Sequence, residues 1–198
     1  VKDRLYTAGK KSLSRRACQT VLYEISQALT RMLAPVMPHQ AEDIWQNMPE
    51  KHRDGIESFL LTDWPTTNVK WANDKLEAEF TKILKLREIV TKAIEPLRAD
   101  KQVGSSLEVA VYVQGGDPEL LKKYESELAN IFITSQAELV DKAPEHVLNE
   151  YKEDDYTIYV TDAHGEKCER CWKYRKLIQV GNHGEICQDC INAINGKE

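Results

Sequence analysis

The sequence predicts a mainly α chain with a small α+β unit behind the helices and a compact four-cysteine module at the end. Three observations carry that prediction. Apolar residues recur at helical spacing over long stretches of the first 96 residues. A strictly alternating run, LEVAVYV, then opens a region of short strand candidates. Four of the five cysteines fall in the last 31 residues, as two C-x2-C pairs.

The first periodic stretch runs from Arg16 to Leu33, where Val21, Leu22, Ile25, Ala28, Leu29, Met32 and Leu33 lie on one helical face. It should stop near Ala34, because Pro35 lacks a donor and pushes its predecessor out of helix. Pro38 suits a first helical turn, and the helix it starts places Ala41, Ile44, Trp45 and Met48 on one side. Joined by APVMP, the two make a hairpin of a helical bundle. His39, at the start of the second helix, reads as a cap or packing residue. Residues 49–70 carry Pro, Gly, Asp and Thr at turn density and predict an irregular connection.

Helical period returns from Asn73, with Leu76, Phe80, Ile83, Leu84, Val90 and Ile94 in the stripe, and Pro96 should kink or end it. Leu107, Val109, Val111 and Val113 alternate with Glu108, Ala110 and Tyr112, the pattern of a half-buried strand. Asp117 as N-cap and Pro118 at the first helical position open a short helix. IFITS, AELVD and YTIYVTD follow as strand candidates. The expected division is 1–66 helical bundle, itself part of a larger bundle, 67–162 α+β domain, and 163–198 metal module. The last is too short and polar to hold itself together by burial alone.

The net charge of −5 argues against a general polyanion binder, yet the average hides two basic islands. Residues 1–16 hold six cations, Arg15 and Arg16 among them, against Asp3 alone. Residues 167–176, KCERCWKYRK, hold five against Glu169 alone. No apolar run approaches the roughly 18 residues that span a bilayer, and the first residues lack a secretory h-region. A cytoplasmic address with no membrane partner is expected. The chain begins with Val1 in charged helical sequence, which suggests a piece of a longer polypeptide.

In a chain without a secretory signal, paired C-x2-C units point to metal and away from disulfides. Cys168 and Cys171 form one knuckle, Cys187 and Cys190 the other, with fifteen residues between. That spacing fits one structural Zn2+ closed by four thiolates, leaving no open position for hydrolytic water. Iron is the chemical competitor, since four thiolates also suit it. His164 and His183 lie nearby, but four cysteines already fill the tetrahedron. Cys18 reads as a small, partly buried side chain. Trp172 follows a ligand directly and is flanked by Arg170, Lys173 and Arg175. An indole among cations suits an unpaired base with its phosphates, whereas packing over the knuckle is the competing reading.

Several stretches taken together, KDRLYT, RRACQTVLYEI, LAPVMPHQAEDIW, TDWP, GSSLEVAV and above all GEKCERCW with ICQDC, are similar to one family. They resemble the C-terminal third to quarter of bacterial-type isoleucyl-tRNA synthetases over essentially the whole chain. The resemblance implies a class I enzyme whose bundle and appended domains hold the anticodon stem-loop of tRNA(Ile). The parent would act as a monomer, activate isoleucine with ATP, charge tRNA, and edit mischarged valine, because one methylene is worth only about 1 to 3 kcal/mol of discrimination. The catalytic signatures are absent here, so this piece is expected to bind RNA, and the rest of the synthetase chain, without chemistry of its own. The resemblance assigns Cys168, Cys171, Cys187 and Cys190 to zinc. It implicates Trp172, with Arg170 beside it, near the anticodon, and places Arg15 and Arg16 on the stem backbone.

Two other classes compete. A related finger ends certain DNA glycosylases, though RRACQTVLYEI and LAPVMPHQAEDIW speak against that parent. The third class is a zinc-stabilised module that touches only protein.

Overall fold

The computed structural model describes residues 1–181 and 184–196. The chain forms two compact units, Val1–Ala72, with which the residues from Ala193 group, and Asn73–Asn192.

In the first unit α1 spans Lys2–Tyr6, α2 Leu13–Leu33 and α3 Pro38–Asn47, followed by three single 3-10 turns, Glu50–His52, Phe59–Leu61 and Val69–Trp71. Ser12 caps α2, its hydroxyl accepting from the Arg15 amide at 3.2 Å. Pro38 sits in the first turn of α3, as its fixed φ and missing donor favour. The small core is Ala41, Trp45 and Phe59, with Ala34, Met48 and Ile56 against it. The Trp45 indole donates to the Ile56 carbonyl at 3.1 Å, and the Arg31 guanidinium lies 5.6 Å from the centre of its ring.

The face that α2 turns inward is not its apolar stripe. Its buried residues are Gln27 and Thr30. Val21, Leu22, Ile25, Leu29, Met32 and Leu33 are all exposed. The Gln27 amide nitrogen points at Met48 Sδ, 2.7 Å away, and the loop that follows α3 covers this polar side. The periodicity located the helix correctly, but two helices with one short loop leave its broad apolar face open.

In the second unit α4 spans Asp74–Ala99, a 3-10 turn covers Ser106–Glu108, β1 is Val109–Gly115, α5 Pro118–Phe132, β2 Gln136–Leu139, β3 Asn149–Glu153 and β4 Tyr156–Asp162. The sheet order is β2-β1-β4-β3, with β1 parallel to β2 across the α5 crossover and the other pairs antiparallel. One face of the sheet, through Val109, Val111, Val113, Ile158 and Val160, packs on Ile83, Leu86, Val90 and Ala93 of α4 and Leu121, Leu128 and Phe132 of α5.

Three sequence expectations are corrected here. Pro96 neither ends nor breaks α4, which runs to Ala99. It lies in the last turns, where few helical bonds remain to be lost, and Asn149 Nδ2 donates to the neighbouring Ala93 carbonyl at 2.7 Å. IFITS is no strand: Ile131 and Phe132 close α5, and Ile133 turns the chain in a left-handed conformation at φ +62°. β1 is buried on both faces rather than one. Ala110 and Tyr112 pack with Tyr159 and Val140 on the face away from the helices, and the Tyr112 hydroxyl hydrogen-bonds His164 Nε2 at 2.7 Å.

Candidate metal centre

The final residues of the second unit make two short antiparallel ribbons. β5, Glu166–Lys167, pairs with β6, Tyr174–Arg175, around the first cysteine pair. β7, Leu177–Gln179, pairs with β8, Glu185–Cys187, which delivers the second pair into α6, Gln188–Asn195. Entry to the first ribbon requires glycine, since a Cβ on Gly165, at φ +92°, would lie 2.6 Å from the Arg175 carbonyl.

The first knuckle is held by backbone bonds. The Cys168 amide donates to Lys173 O at 2.9 Å and the Trp172 amide to Cys168 O at 2.8 Å. The Cys187 amide donates to Cys168 Sγ at 3.3 Å, tying the second knuckle to the first and lending dipole to a sulfur. All four Sγ atoms lie within 4.8 Å of one another. Four sulfurs about 2.3 Å from one ion at tetrahedral corners stand about 3.8 Å apart. Here Cys168 and Cys190 Sγ are 3.8 Å apart, and Cys171 and Cys187 Sγ 3.7 Å. A disulfide needs about 2.05 Å, so the thiols are free.

The arrangement fits one structural Zn2+. Cys168, Cys187 and Cys190 are buried and Cys171 is partly so. Hydrogen bonds from the Cys171 and Cys190 thiols hold Cys187 far below the ordinary thiol range, while Cys171, donating to Cys187 and Cys190, is held far above it. For Cys190 a bond from Cys171 lowers the pKa, but donation to Cys187 and burial prevail and push it up to about 11. The cluster thus concentrates partial negative charge at one point, which a divalent cation relieves on displacing the protons. Arg170 beside Cys190 also favours its thiolate. The apolar residues around the sulfurs are few: Ile186 buried, with Leu177, Val180 and Ile191 partly so.

The remaining site residues are distributed as follows. Trp172 is 62% exposed and has φ +65°, the left-handed region that favours glycine. Lys173 Nζ reaches Asn130 Oδ1 at 2.5 Å. Arg175 is half-buried in β6, its Nε without a hydrogen-bond partner among the described residues. His164 is engaged by Tyr112 and stands apart from the sulfurs, and His183 lies outside the described residues. Arg15 and Arg16 sit in the first turn of α2, with Arg15 Nη1 on the Ala8 carbonyl at 3.4 Å and Arg16 exposed.

Sequence reasoning missed Ser135 and Gln136, whose side chains grip the first ribbon. Nothing in their spacing signals that role.

A family model described as the anticodon-binding domain of tRNA ligase matches residues 1–113. The chain belongs to the tRNA-ligase anticodon-binding domain family. A second model, the zinc finger found in FPG and IleRS, matches residues 165–193 and so covers the four-cysteine cluster of this family member. Among curated relatives, isoleucine--tRNA ligase of Gloeobacter violaceus is 40% identical over 98% of this chain and 20% of its own length. That of Syntrophotalea carbinolica is 36% identical over 100% and 21%. The chloroplastic/mitochondrial isoleucine--tRNA ligase of Arabidopsis thaliana is 38% identical over 98% and 20%. The chain spans about a fifth of the length of these relatives. No helix among the described residues is long and apolar enough to cross a membrane.

Proposed function

We propose that this chain is the C-terminal, tRNA-binding portion of an isoleucine--tRNA ligase and grips the anticodon stem-loop of tRNA(Ile). In full, the ligase activates isoleucine with ATP, charges the tRNA and edits mischarged valine, with ATP bound by parts outside this chain. It works in the cytoplasm as a monomer, and this portion contributes no catalytic group. Its parts are the bundle of residues 1–66, the α+β domain of 67–162 and the zinc module of 163–198. The open apolar stripe of α2 supports the bundle's being part of a larger one.

The observation that carries the RNA reading is Trp172. A bulky side chain in the left-handed region costs about 1 to 2 kcal/mol that glycine would avoid, and here the strained residue points its indole into solvent. Neither packing nor local backbone preference accounts for a tryptophan at that position. A stacking platform for an unpaired base does. Arg170, Lys173 and Arg175 supply positive charge beside it, and Arg15 and Arg16 meet the phosphates of the stem. Zinc, held by Cys168, Cys171, Cys187 and Cys190, shapes the knuckle that carries the platform.

Nuclease footprinting of tRNA(Ile) tests the assignment. The chain should protect the anticodon stem-loop and leave the acceptor stem open, whereas protection confined to the acceptor end would overturn it.

A further inference from the structure

The zinc module and the α+β domain are joined by more than the chain connection. Ser135, just before edge strand β2, and Gln136, its first residue, face the first ribbon of the module with their side chains. The Ser135 hydroxyl donates to Leu107 O at 2.5 Å and accepts from the Tyr174 amide at 2.7 Å, so one buried group links the β1 entrance to β6. Gln136 uses both ends of its amide. Its Nε2 donates to His164 O at 3.0 Å and Tyr174 O at 2.7 Å, and its Oε1 accepts from the His164 amide at 3.2 Å. Lys173 on Asn130 and His164 on Tyr112 add contacts on either side.

These bonds fall on residues immediately flanking the knuckle. Tyr174 is two residues past Trp172, and His164 precedes Gly165, whose φ of +92° marks the turn by which the chain enters the module. The metal cluster and Ile186 organise the module's interior. They do not orient it on the sheet, because every ligand and every residue of that small core lies within the module. Side-chain bonds from Ser135 and Gln136 to Tyr174 of β6 and to His164, two residues ahead of β5, supply the orientation, and a single amide that both donates and accepts there tolerates no other residue of its size.

We infer that Ser135 and Gln136 are positioning residues that lock the zinc knuckle onto the sheet edge in one orientation and so present Trp172 to RNA at a fixed place. The RNA half of this rests on the reading given under Proposed function. The clamp itself does not. If loosening it leaves the competent orientation populated a tenth of the time, the apparent Kd for tRNA rises about tenfold with no RNA contact removed.

The test is Gln136→Glu, nearly isosteric, in the zinc-loaded chain, with Ser135→Ala/Gln136→Ala as a second variant. A carboxylate still accepts from the His164 amide but sets negative oxygen against the His164 and Tyr174 carbonyls. Zinc content should stay at one per chain. Residual dipolar couplings should fit one alignment tensor for residues 107–181 in the wild type and require two in either variant, and tRNA(Ile) affinity should fall about tenfold. One tensor throughout would overturn the clamp. Two tensors with unchanged tRNA affinity would overturn its role in presenting Trp172. Absence of tRNA binding by the wild type would instead sink the functional reading and leave the tensor result standing.

Discussion

Replacing Cys187 with serine, or stripping the metal with a chelator, is expected to unfold the module from about His164 while the helix-backed sheet of the same unit remains folded. Among the described residues, three cysteines and Ile186 make up the buried cluster of the module, with Cys171 partly buried against it. Burial on that scale does not offset the backbone entropy lost on ordering the module. Structural zinc supplies the difference, at about 10 to 16 kcal/mol of apparent binding free energy in finger-sized modules. The sheet keeps its own core of α4, α5, β1 and β4 residues, which includes none of the cysteines. Amide exchange read against zinc stoichiometry checks this. Protection should vanish in 164–181 and persist in 83–97 and 109–113. Because the metal displaces protons from thiols that Cys171 and Cys190 hold above their ordinary range, zinc affinity should fall as pH falls. A module that stays protected without metal, or a sheet that unfolds with it, would contradict the account.

The second large effect belongs to Trp172. Stacking of a base on an aromatic ring is worth about 1 to 3 kcal/mol, so Trp172→Ala should weaken tRNA binding by a factor between about 5 and 150. Trp172→Gly separates this from folding, because the two consequences have opposite signs. Glycine loses the same stacking surface yet relieves the left-handed backbone, φ +65°, so the zinc-loaded module should melt higher as RNA affinity drops. In a full-length ligase either variant should depress tRNA charging and leave amino-acid-dependent ATP–pyrophosphate exchange intact. If Trp172→Gly lowers the module's stability and spares RNA binding, the indole is packing and the platform reading fails.

Much of this fold was legible because local chemistry spoke loudly. Helical period with Pro38 marked the first helices, Asp117 and Pro118 marked α5, and the two C-x2-C pairs marked the sulfur cluster. What escaped depended on partners distant in sequence. The stripe of α2 shows that a helix is amphipathic but not which side its neighbour covers, and the loop after α3 covers the polar one. β3, NEYKE, has too little apolar content to signal a strand and forms because it pairs at the edge with β4. Alternation in LEVAVYV identified β1 yet not the burial of its second face, which comes from Val140 and the Tyr112 bond to His164 some fifty residues on. At the site, residue types marked the four cysteines that cluster. The left-handed turn at Trp172 and the amide of Gln136 between two carbonyls are geometric facts that spacing does not encode.

The most direct measurement of the central claim is a titration of the zinc-loaded 198-residue chain against an isolated anticodon stem-loop of tRNA(Ile) and against the same stem with a different anticodon. A preference for the isoleucine anticodon is expected, worth about 1 to 3 kcal/mol if hydrogen bonds read the edge of a single base, on top of stacking that does not discriminate, with the salt dependence that phosphate contacts impose. Equal binding to both loops, or to neither, would contradict the account.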